Sequence, residues 1–396
     1  DEEFCIIGQE ELDEIKEALS TQDMPTAITK IKNVLEQQDR VELNIGVTGE
    51  SGSGKSSFVN AFRGIGDEEK GSAQTGPVET TMQTQVYLHP KYENVKVWDL
   101  PGIGTPNFKA NEYLEQVQFE RYDFFIIIAS DRFRECHTQL AKEIMRMGKK
   151  FYFVRSKIDS NILAESRKKS FDQEKTLNTI REDCETGLKE IGGMDDPVVF
   201  LISSCDLSKY DFNLLHERME KELPQHKRHV LILTLPNITL EINERKKEAL
   251  KKDIFNVAFL SACVAAVPVP GLSIAVDLSI ISLQIRKYLN AFGLDKKSLK
   301  ILCEQSGQTM ETLENLITSV WYKGLLTGSL LSKLLDSTLL VSEDAVERAF
   351  SIIPFIGSLV AGGLSFVTVK LMLNKAIDDI AEDARKVLMA AFKNLE

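Results

Sequence analysis

The sequence predicts two structural units: an α/β unit with a mostly parallel sheet covered by helices on both faces, and an all-helical unit built from both chain ends. From residue 43 to about 222, short apolar runs alternate with amphipathic stretches, which is typical of successive strand–helix units. Helical patterns precede this region, and strand-like runs almost vanish after Pro236. We expect N-terminal helices over 1–40, the α/β domain over 41–232 and a C-terminal helical domain over 233–396.

The individual elements follow from hydrophobic periodicity. Two helical patterns lie within 9–37, and Pro25 stands at the start of the second, where its missing N–H costs nothing. Five apolar runs bounded by turn residues predict strands at 43–48, 95–99, 124–129, 151–155 and 198–203. Amphipathic patterns predict helices at 56–63, 112–119, 138–147, 174–191 and 212–223. Because helical stretches separate most of the strands, we expect mainly parallel pairing.

Composition narrows the class of protein. The chain is 43% hydrophobic and 27% charged, which is ordinary for a globular protein. A formal charge of -11 argues against a broad electrostatic grip on nucleic acid or on anionic lipid, although it leaves a local basic patch open, and no nucleic-acid partner is expected. The six cysteines show neither a C-x-x-C pair nor zinc-ligand spacing, which favours free thiols in a reducing cytoplasm. The first 36 residues are polar and helical in pattern, so we expect no signal peptide.

The strongest motif is a phosphate-binding loop. Residues 49–56 match G-x-x-x-x-G-K-[ST] between a predicted strand and a predicted helix, which is the context this motif requires. Its glycines let backbone N–H groups surround phosphates, Lys55 reaches the β- and γ-phosphates, and the Ser56 hydroxyl binds Mg²⁺. The expected nucleotide-binding residues of this loop are Gly49, Glu50, Ser51, Gly52, Ser53, Gly54, Lys55, Ser56 and Ser57.

A second acidic motif ends the next predicted strand. Asp99 and Gly102 belong to the segment Asp-Leu-Pro-Gly over 99–102, at the place where phosphate-loop proteins carry their second acidic residue. We expect Asp99 to hold Mg²⁺ and the Gly102 amide to sense the γ-phosphate. A strand-ending turn would show the same residues, but the spacing from the phosphate loop favours the functional interpretation.

The third motif indicates which base is bound. Ser156, Lys157 and Asp159 follow a predicted strand and resemble the N/T-K-x-D element that reads guanine. The Asp159 carboxylate can accept hydrogen bonds from N1–H and the exocyclic amine of guanine together, a donor pair that adenine lacks. Lys157 is expected to pack along the base. Ser203 and Ser204, at the end of the next strand, are expected to add a backbone contact to the base.

The polar stretch between the first two motifs is expected to be a switch loop. Thr75, Thr80 and Thr81 compete for the role of completing the Mg²⁺ shell, and the pattern does not choose among them. We assign Mg²⁺ binding to Thr81. Residue 103 is isoleucine, which cannot orient a nucleophilic water. Either hydrolysis is very slow alone, or the missing polar group comes from elsewhere, such as Glu79 or a second molecule. We expect low basal turnover that rises with protein concentration.

Two long apolar stretches lie in the helical part. Residues 254–285 contain Asp277 as their one charged residue, and residues 349–369 contain none. Each is long enough to cross a bilayer, but each is broken by proline and glycine. Three interpretations stay open: burial in a helical core, reversible membrane insertion and a permanent span.

Together these residues make the chain similar to immunity-related GTPases of the interferon-inducible p47 type. The resemblance covers most of the chain and extends beyond general GTPase motifs. It rests on GSGKSSF at 52–58, RGIG at 63–66, WDLPGIG at 98–104, YDFFII at 122–127, FYFVR at 151–155, LPQHKRH at 223–229 and FGLD at 292–295.

The resemblance implies a Ras-like G domain, with N- and C-terminal helices packed into one helical domain. It also implies a dynamin-like, innate-defence GTPase that binds GTP and GDP, assembles through its nucleotide face in the GTP state, and acts on membranes enclosing intracellular pathogens. Glu79 matches the switch glutamate that contributes to hydrolysis, and Thr75 and Thr81 match threonines that pathogen kinases modify in some members. The expected location is the cytoplasm, with reversible association with the endoplasmic reticulum, Golgi or pathogen vacuole.

We therefore expect a GTPase with GTP, GDP and Mg²⁺ as ligands, further copies or related GTPases as partners, and Lys55, Glu79 and Gly102 as catalytic residues. One alternative is a GTP-gated scaffold that hydrolyses negligibly and regulates related GTPases. Another is an ATPase, which requires discounting residues 156–159.

Overall fold

A computed structural model describes residues 9–21, 23–37, 41–76, 83–103, 108–192, 197–265, 272–326 and 366–392. The chain divides into two compact units. One comprises residues 41–238, and the other combines the segments before residue 41 and after residue 238.

Helices and strands alternate after two N-terminal helices. These two are α1 (Gln9–Ser20) and α2 (Met24–Gln37). The α/β unit then contains β1 (Leu43–Gly49), α3 (Lys55–Phe62), β2 (Gln85–Leu88), β3 (Val95–Asp99), α4 (Ala110–Gln116), β4 (Phe124–Ala129), α5 (Glu135–Arg146), β5 (Lys150–Arg155), α6 (Ile158–Glu165), α7 (Gln173–Lys189), β6 (Val199–Leu201), α8 (Phe212–Glu222) and α9 (Gln225–Thr234). A single 3-10 turn, Phe119–Arg121, precedes β4.

The sheet has six strands in the order β2-β3-β1-β4-β5-β6. β1 pairs in parallel with β3 and β4, and the pairs β4–β5 and β5–β6 are also parallel. The carboxyl ends of β1, β3, β5 and β6 therefore meet at one edge of the sheet, where ligands of open α/β folds bind. This arrangement confirms the predicted α/β class with a mostly parallel sheet.

Central β4 explains why these apolar runs become strands. All six of its residues, Phe124–Ala129, are buried, as expected for a parallel strand with helices on both faces. Burying one large apolar side chain contributes about 1.5–3 kcal/mol, so this strand stabilises the sheet strongly. The core continues on one face with residues from the flanking helices, among them Leu114, Leu140, Ile144 and Leu188.

The strand that periodicity did not predict is β2. It pairs antiparallel with β3 at the edge of the sheet, and Val86 and Leu88 are each more than two-fifths exposed. An edge strand of four residues that buries little surface lacks the hydrophobic pattern from which strands are predicted. Helices α6 and α9 were also not predicted.

The other unit is helical wherever the structure describes it. Beyond α1 and α2 it contains α10 (Leu240–Ala265), α11 (Leu272–Ala291), α12 (Lys296–Ser306), α13 (Met310–Asn315), α14 (Val320–Leu326) and α15 (Phe366–Ala391). Buried Asp383 on α15 accepts hydrogen bonds from the N–H groups of Thr318 and Ser319, at 3.2 and 2.8 Å. This carboxylate satisfies N–H groups at the start of α14, so the two helices are fixed to one another.

The two apolar stretches are described only in part. The first is divided between the end of α10 and α11, and its Asp277 is buried. Most of the second, residues 349–365, lies outside the described residues. Within the part of the chain that the structure describes, no helix has both the length and the apolar character needed to cross a membrane.

Candidate functional site

The loop between β1 and α3 has the backbone that its glycines predict. Gly49, Gly52 and Gly54 have φ values of 147°, 75° and 93°, which side-chain-bearing residues rarely adopt. A Cβ at Gly49 would also lie 2.0 Å from the Ile128 carbonyl oxygen of β4, so no larger residue fits there. The loop therefore closes tightly over the sheet edge and leads directly into the N-terminus of α3.

Lys55 lies at the centre of this loop and is only 6% exposed. Its Nζ donates to the carbonyl oxygens of Gly49 and Glu50, at 3.2 and 2.9 Å. These bonds hold the ammonium inside the ring of backbone formed by the loop. This is the position from which a lysine reaches the β- and γ-phosphates of a nucleotide.

Ser56 and Asp99 are brought together although they lie 43 positions apart in sequence. The Ser56 hydroxyl donates to Asp99 Oδ2 at 2.6 Å, and the Asp99 side chain is fully buried. Parallel pairing of β1 with β3 causes this meeting, because Val47 lies opposite Asp99 in the register. A hydroxyl and a carboxylate are hard oxygen donors, so the pair has the chemistry that Mg²⁺ prefers.

The segment after Asp99 runs alongside the phosphate loop. The Leu100 N–H donates to the Val47 carbonyl and the Ile103 N–H to the Gly49 carbonyl, both at 3.0 Å. Gly102 is half-buried between these two bonds. The Ile103 side chain is 4% exposed and belongs to the apolar core.

The third motif is tied to the first by direct hydrogen bonds. Buried Ser156 follows β5, and its Oγ lies 2.5 Å from the Ser53 carbonyl oxygen and 3.2 Å from that of Ala129. Lys157 has a φ of 56°, and its Nζ donates to the Gly52 carbonyl at 2.7 Å. Serine, where the motif usually has Asn or Thr, thus connects this motif to the phosphate loop through its hydroxyl.

Asp159 lies in the first turn of α6, half-exposed at the same sheet edge. Burial raises the pKa of the Cys205 thiol, and the negative charge of Asp159 raises it further. Asp159 is therefore close to the loop that follows β6 and contains buried Ser203 and half-buried Ser204. The residues predicted to read the base thus lie at the carboxyl ends of the neighbouring strands β5 and β6.

The predicted switch residues are placed only in part. Thr75 is exposed in the irregular segment that follows α3. Glu79, Thr80 and Thr81 lie outside the described residues.

Comparisons with known proteins agree with this geometry. Residues 8–390 match the family model described as "Interferon-inducible GTPase (IIGP)". The chain belongs to the interferon-inducible GTPase family. As a member, it is a P-loop GTPase that acts on GTP.

Named relatives match this family member over most of their own length. "Interferon-inducible GTPase 5" of Rattus norvegicus is 40% identical over 401 residues, covering 100% of this chain and 86% of the relative. "Interferon-gamma-inducible GTPase 10" of Mus musculus is 39% identical over 388 residues, covering 98% of this chain and 90% of the relative. "Interferon-inducible GTPase 1" of Mus musculus is 40% identical over 316 residues, covering 79% of this chain and 76% of the relative.

One feature of this GTPase was not predicted: a cradle around the side chain of Glu50. Arg134 Nη1 lies 3.0 Å from Glu50 Oε1, Cys136 Sγ lies 4.0 Å from the same oxygen, and His137 Nε2 lies 3.8 Å from Oε2. All three residues come from the start of α5. Since they lie 84 to 87 positions after Glu50, spacing along the chain does not reveal the cluster.

Ligand atoms of Glu50, Cys136 and His137 lie within 4.8 Å of one another, so the cluster must be tested as a metal site. His137 Nδ1 accepts the Arg134 backbone N–H at 3.1 Å, which places the proton of the neutral imidazole on Nε2. A protonated Nε2 cannot bind a metal, and the Arg134 guanidinium already occupies the carboxylate. The cluster is therefore a set of polar groups around Glu50 rather than a metal centre, and His137 Nε2, at 3.8 Å, is too far from the carboxylate for a hydrogen bond.

The buried His137 predicts a specific dependence of stability on pH. Burial, aided by the Arg134 charge, lowers the pKa of His137 from 6.5 to about 4, whereas burial raises the pKa of Glu50. Between pH 6.5 and about 4, His137 is protonated in the unfolded chain but neutral in the folded protein. The free energy of unfolding should therefore fall as pH is lowered, by up to about 1.4 kcal/mol per pH unit from this group. Because its pKa is raised in the folded protein, Glu50 has the opposite effect: its contribution to the free energy of unfolding grows as pH is lowered.

His137→Asn keeps an acceptor near the position of Nδ1 but does not titrate. We expect its free energy of unfolding, measured by urea titration between pH 4 and 6.5, to fall less steeply with acid than that of the wild type. Glu50→Gln, which removes the opposing contribution, should make the fall steeper. If the free energy of unfolding depended on pH equally in the wild type and in His137→Asn, His137 would not be the source of this dependence.

Proposed function

We propose that this GTPase hydrolyses GTP with Mg²⁺, self-assembles in its GTP state and acts at intracellular membranes in cell-autonomous defence against intracellular pathogens. The observation that carries the nucleotide chemistry is the convergence of three motifs at one sheet edge. Ser56 bonds to Asp99, and Ser156 reaches the phosphate-loop carbonyl of Ser53. Phosphate binding, metal binding and base reading are therefore parts of one site.

In this proposal each group has a defined task. Lys55 and the loop N–H groups neutralise the charge that develops on the β- and γ-phosphates during transfer to water. Ser56 and Asp99, with Thr81, would hold Mg²⁺, which would supply positive charge to offset the charge on the phosphates. Asp159 accepts from guanine, and the Gly102 N–H donates to the γ-phosphate.

The proposal of self-assembly is supported by what the site lacks. The Ile103 side chain is buried in the core, so it cannot orient the attacking water. A polar group must come from Glu79 or from a second molecule, as occurs when phosphoryl transfer is completed in trans. Contact through the nucleotide face would bring a second molecule close enough to complete the site.

Membrane action is supported by an exposed apolar surface on α10 and α15, which we name the aromatic patch. Phe255 and Phe366 are in edge-to-face contact, with ring centroids 5.5 Å apart. Its most exposed side chains and their exposed fractions are Phe255 (41%), Phe259 (41%), Val367 (61%) and Leu371 (64%). Exposed Lys252 and Lys370 lie on the same two helices, whereas acidic Asp253 and Asp277 are buried. An apolar face beside lysines suits the surface of a bilayer with anionic lipids.

One concentration series tests both parts of the proposal. Phosphate release and light scattering are measured with GTP or GDP, with and without vesicles of 30% phosphatidylserine. We expect activity per molecule and scattering to rise with protein concentration in GTP, and the protein to sediment with the vesicles. Glu79→Ala should lower phosphate release, and the double variant Phe259→Ser/Leu371→Ser should lower sedimentation with lipid while keeping turnover in solution.

Activity per molecule that stays constant across the series would refute hydrolysis through self-assembly. Negligible phosphate release with GTP-dependent scattering would instead favour the alternative, a GTP-gated scaffold that regulates related GTPases. Equal sedimentation of the double variant and the wild type would refute the aromatic patch as the membrane contact.

A further inference from the structure

A buried tyrosine connects the end of β1 to the segment expected to sense the γ-phosphate. Tyr113, on α4, is 7% exposed. Its hydroxyl oxygen lies 2.7 Å from Thr48 Oγ1, and the hydroxyl donates to the Pro101 carbonyl oxygen at 2.9 Å. Since the single phenol proton goes to Pro101, the Thr48 hydroxyl must donate to the phenol oxygen.

The Pro101 carbonyl shares a planar peptide unit with the Gly102 N–H. In a trans peptide the C=O and the N–H point in opposite directions, so fixing one fixes the other. The Tyr113 hydroxyl therefore sets the direction in which the Gly102 N–H points. No other group among the described residues is seen to bond this carbonyl.

The neighbouring peptides are anchored differently. Leu100 and Ile103 donate their N–H groups to the β1 carbonyls of Val47 and Gly49, each at 3.0 Å. Pro101 has no N–H to donate, and Gly102 permits a wide range of backbone angles. The peptide between them could thus rotate while both anchors stayed in place, unless a side chain held it.

The buried environment of Tyr113 keeps its hydroxyl protonated, so that it can donate to the Pro101 carbonyl. Burial raises the pKa of the Tyr113 hydroxyl well above its usual range, so the hydroxyl keeps its proton and remains a donor at physiological pH. Thr48 comes directly before Gly49, the first residue of the phosphate loop. The hydrogen-bonded chain therefore begins beside one phosphate-binding element and ends at the other.

We propose that Tyr113 is a positioning residue that aims the Gly102 N–H at the γ-phosphate and so enables the protein to distinguish GTP from GDP. The proposal rests on the γ-phosphate role of Gly102 in the proposed function. It assigns Tyr113 to discrimination between the two nucleotides and not to nucleotide binding in general. A residue with a merely structural role would affect both nucleotides equally.

The test is Tyr113→Phe, which removes one oxygen and leaves the ring in place. Dissociation constants are measured for GDP and for a non-hydrolysable GTP analogue. We expect the analogue to bind about fivefold more weakly, the effect of losing one hydrogen bond of about 1 kcal/mol, with GDP affinity changed less than twofold. The matched control is Tyr122→Phe, which removes another buried tyrosine hydroxyl, one that donates to the Val117 carbonyl at 2.8 Å. This control should leave both constants unchanged.

A second variant allows for instability caused by the Thr48 hydroxyl, which loses its acceptor in Tyr113→Phe. Thr48→Val/Tyr113→Phe removes both hydroxyls, which costs less than leaving one buried and unpaired. It should show the same selective loss of affinity for the GTP analogue. Equal weakening of both nucleotides, or no change in either, would overturn the role of Tyr113.

Hydrogen exchange of the Gly102 amide in the wild type separates the two proposals. Slower exchange with the GTP analogue than with GDP would support γ-phosphate sensing by Gly102. If that difference is present but the variants show no selective loss, Tyr113 is not the positioning residue and the proposed function stands. If the exchange is the same with both nucleotides, the Gly102 role fails, and the Tyr113 proposal fails with it.

Discussion

Replacing Asp159 with asparagine should weaken GTP binding by about 10²- to 10³-fold, because guanine loses two hydrogen bonds to a charged acceptor. Asparagine offers one carbonyl oxygen and one amide donor, and the donor would meet the exocyclic amine of guanine. Xanthine carries a carbonyl oxygen at that position. Xanthosine triphosphate should therefore bind Asp159→Asn more tightly than GTP does, which competition against a fluorescent nucleotide would measure.

The alternative is that Asp159 merely stabilises the first turn of α6. Asp172→Asn is the matched control, because Asp172 caps the start of α7 by accepting the Lys175 N–H at 2.9 Å. Asparagine is an equally good cap, so this variant should keep its affinity for GTP. Unchanged GTP affinity in Asp159→Asn, or ATP binding as tight as GTP binding in the wild type, would contradict guanine reading by Asp159.

Lys55→Ala should weaken binding of the GTP analogue by about 10²- to 10³-fold and abolish measurable turnover. The ammonium is the charged group at the centre of the phosphate loop, and each hydrogen bond to a charged partner contributes about 1.5–3 kcal/mol. Binding should fall more for the triphosphate than for GDP, because Lys55 is expected to contact both the β- and γ-phosphates. Calorimetry with both nucleotides, together with phosphate release, measures these changes.

Lys149→Ala provides the comparison for a lysine that holds backbone. Lys149 Nζ donates to the carbonyl oxygens of Glu120 and Tyr122 at 2.9 and 2.7 Å, much as Lys55 does in its loop. This variant should keep nucleotide affinity and turnover. If both variants lost affinity equally, the effect of Lys55 would be that of a general structural contact.

Contiguous motifs predicted most of this molecule from its sequence. Gly49, Gly54 and Lys55 form a local pattern with a fixed backbone requirement, and the buried run of β4 is apolar at every position. The same patterns could not show that Ser156 reaches Ser53, since that contact depends on strand order and joins residues 103 positions apart.

The features missed were those without a local signal. Strand β2 buries too little surface for an apolar pattern, and the polar groups around Glu50 come from a distant helix. Tyr113 would pass in sequence as a core aromatic residue of an amphipathic helix, because only the packing of α4 brings its hydroxyl to Pro101. Side-chain contacts between elements are set by tertiary structure, which periodicity does not encode.

The bonds from Ser156 and Lys157 to the phosphate loop have a consequence for affinity. They fix the half of the site that receives the base and the half that receives the phosphates in one geometry before ligand arrives. A nucleotide that engages one half presents its other end to the second half at a high effective concentration. Guanosine or triphosphate alone lacks this chelate advantage, so we expect GTP to bind more tightly than the affinities of its two parts would indicate.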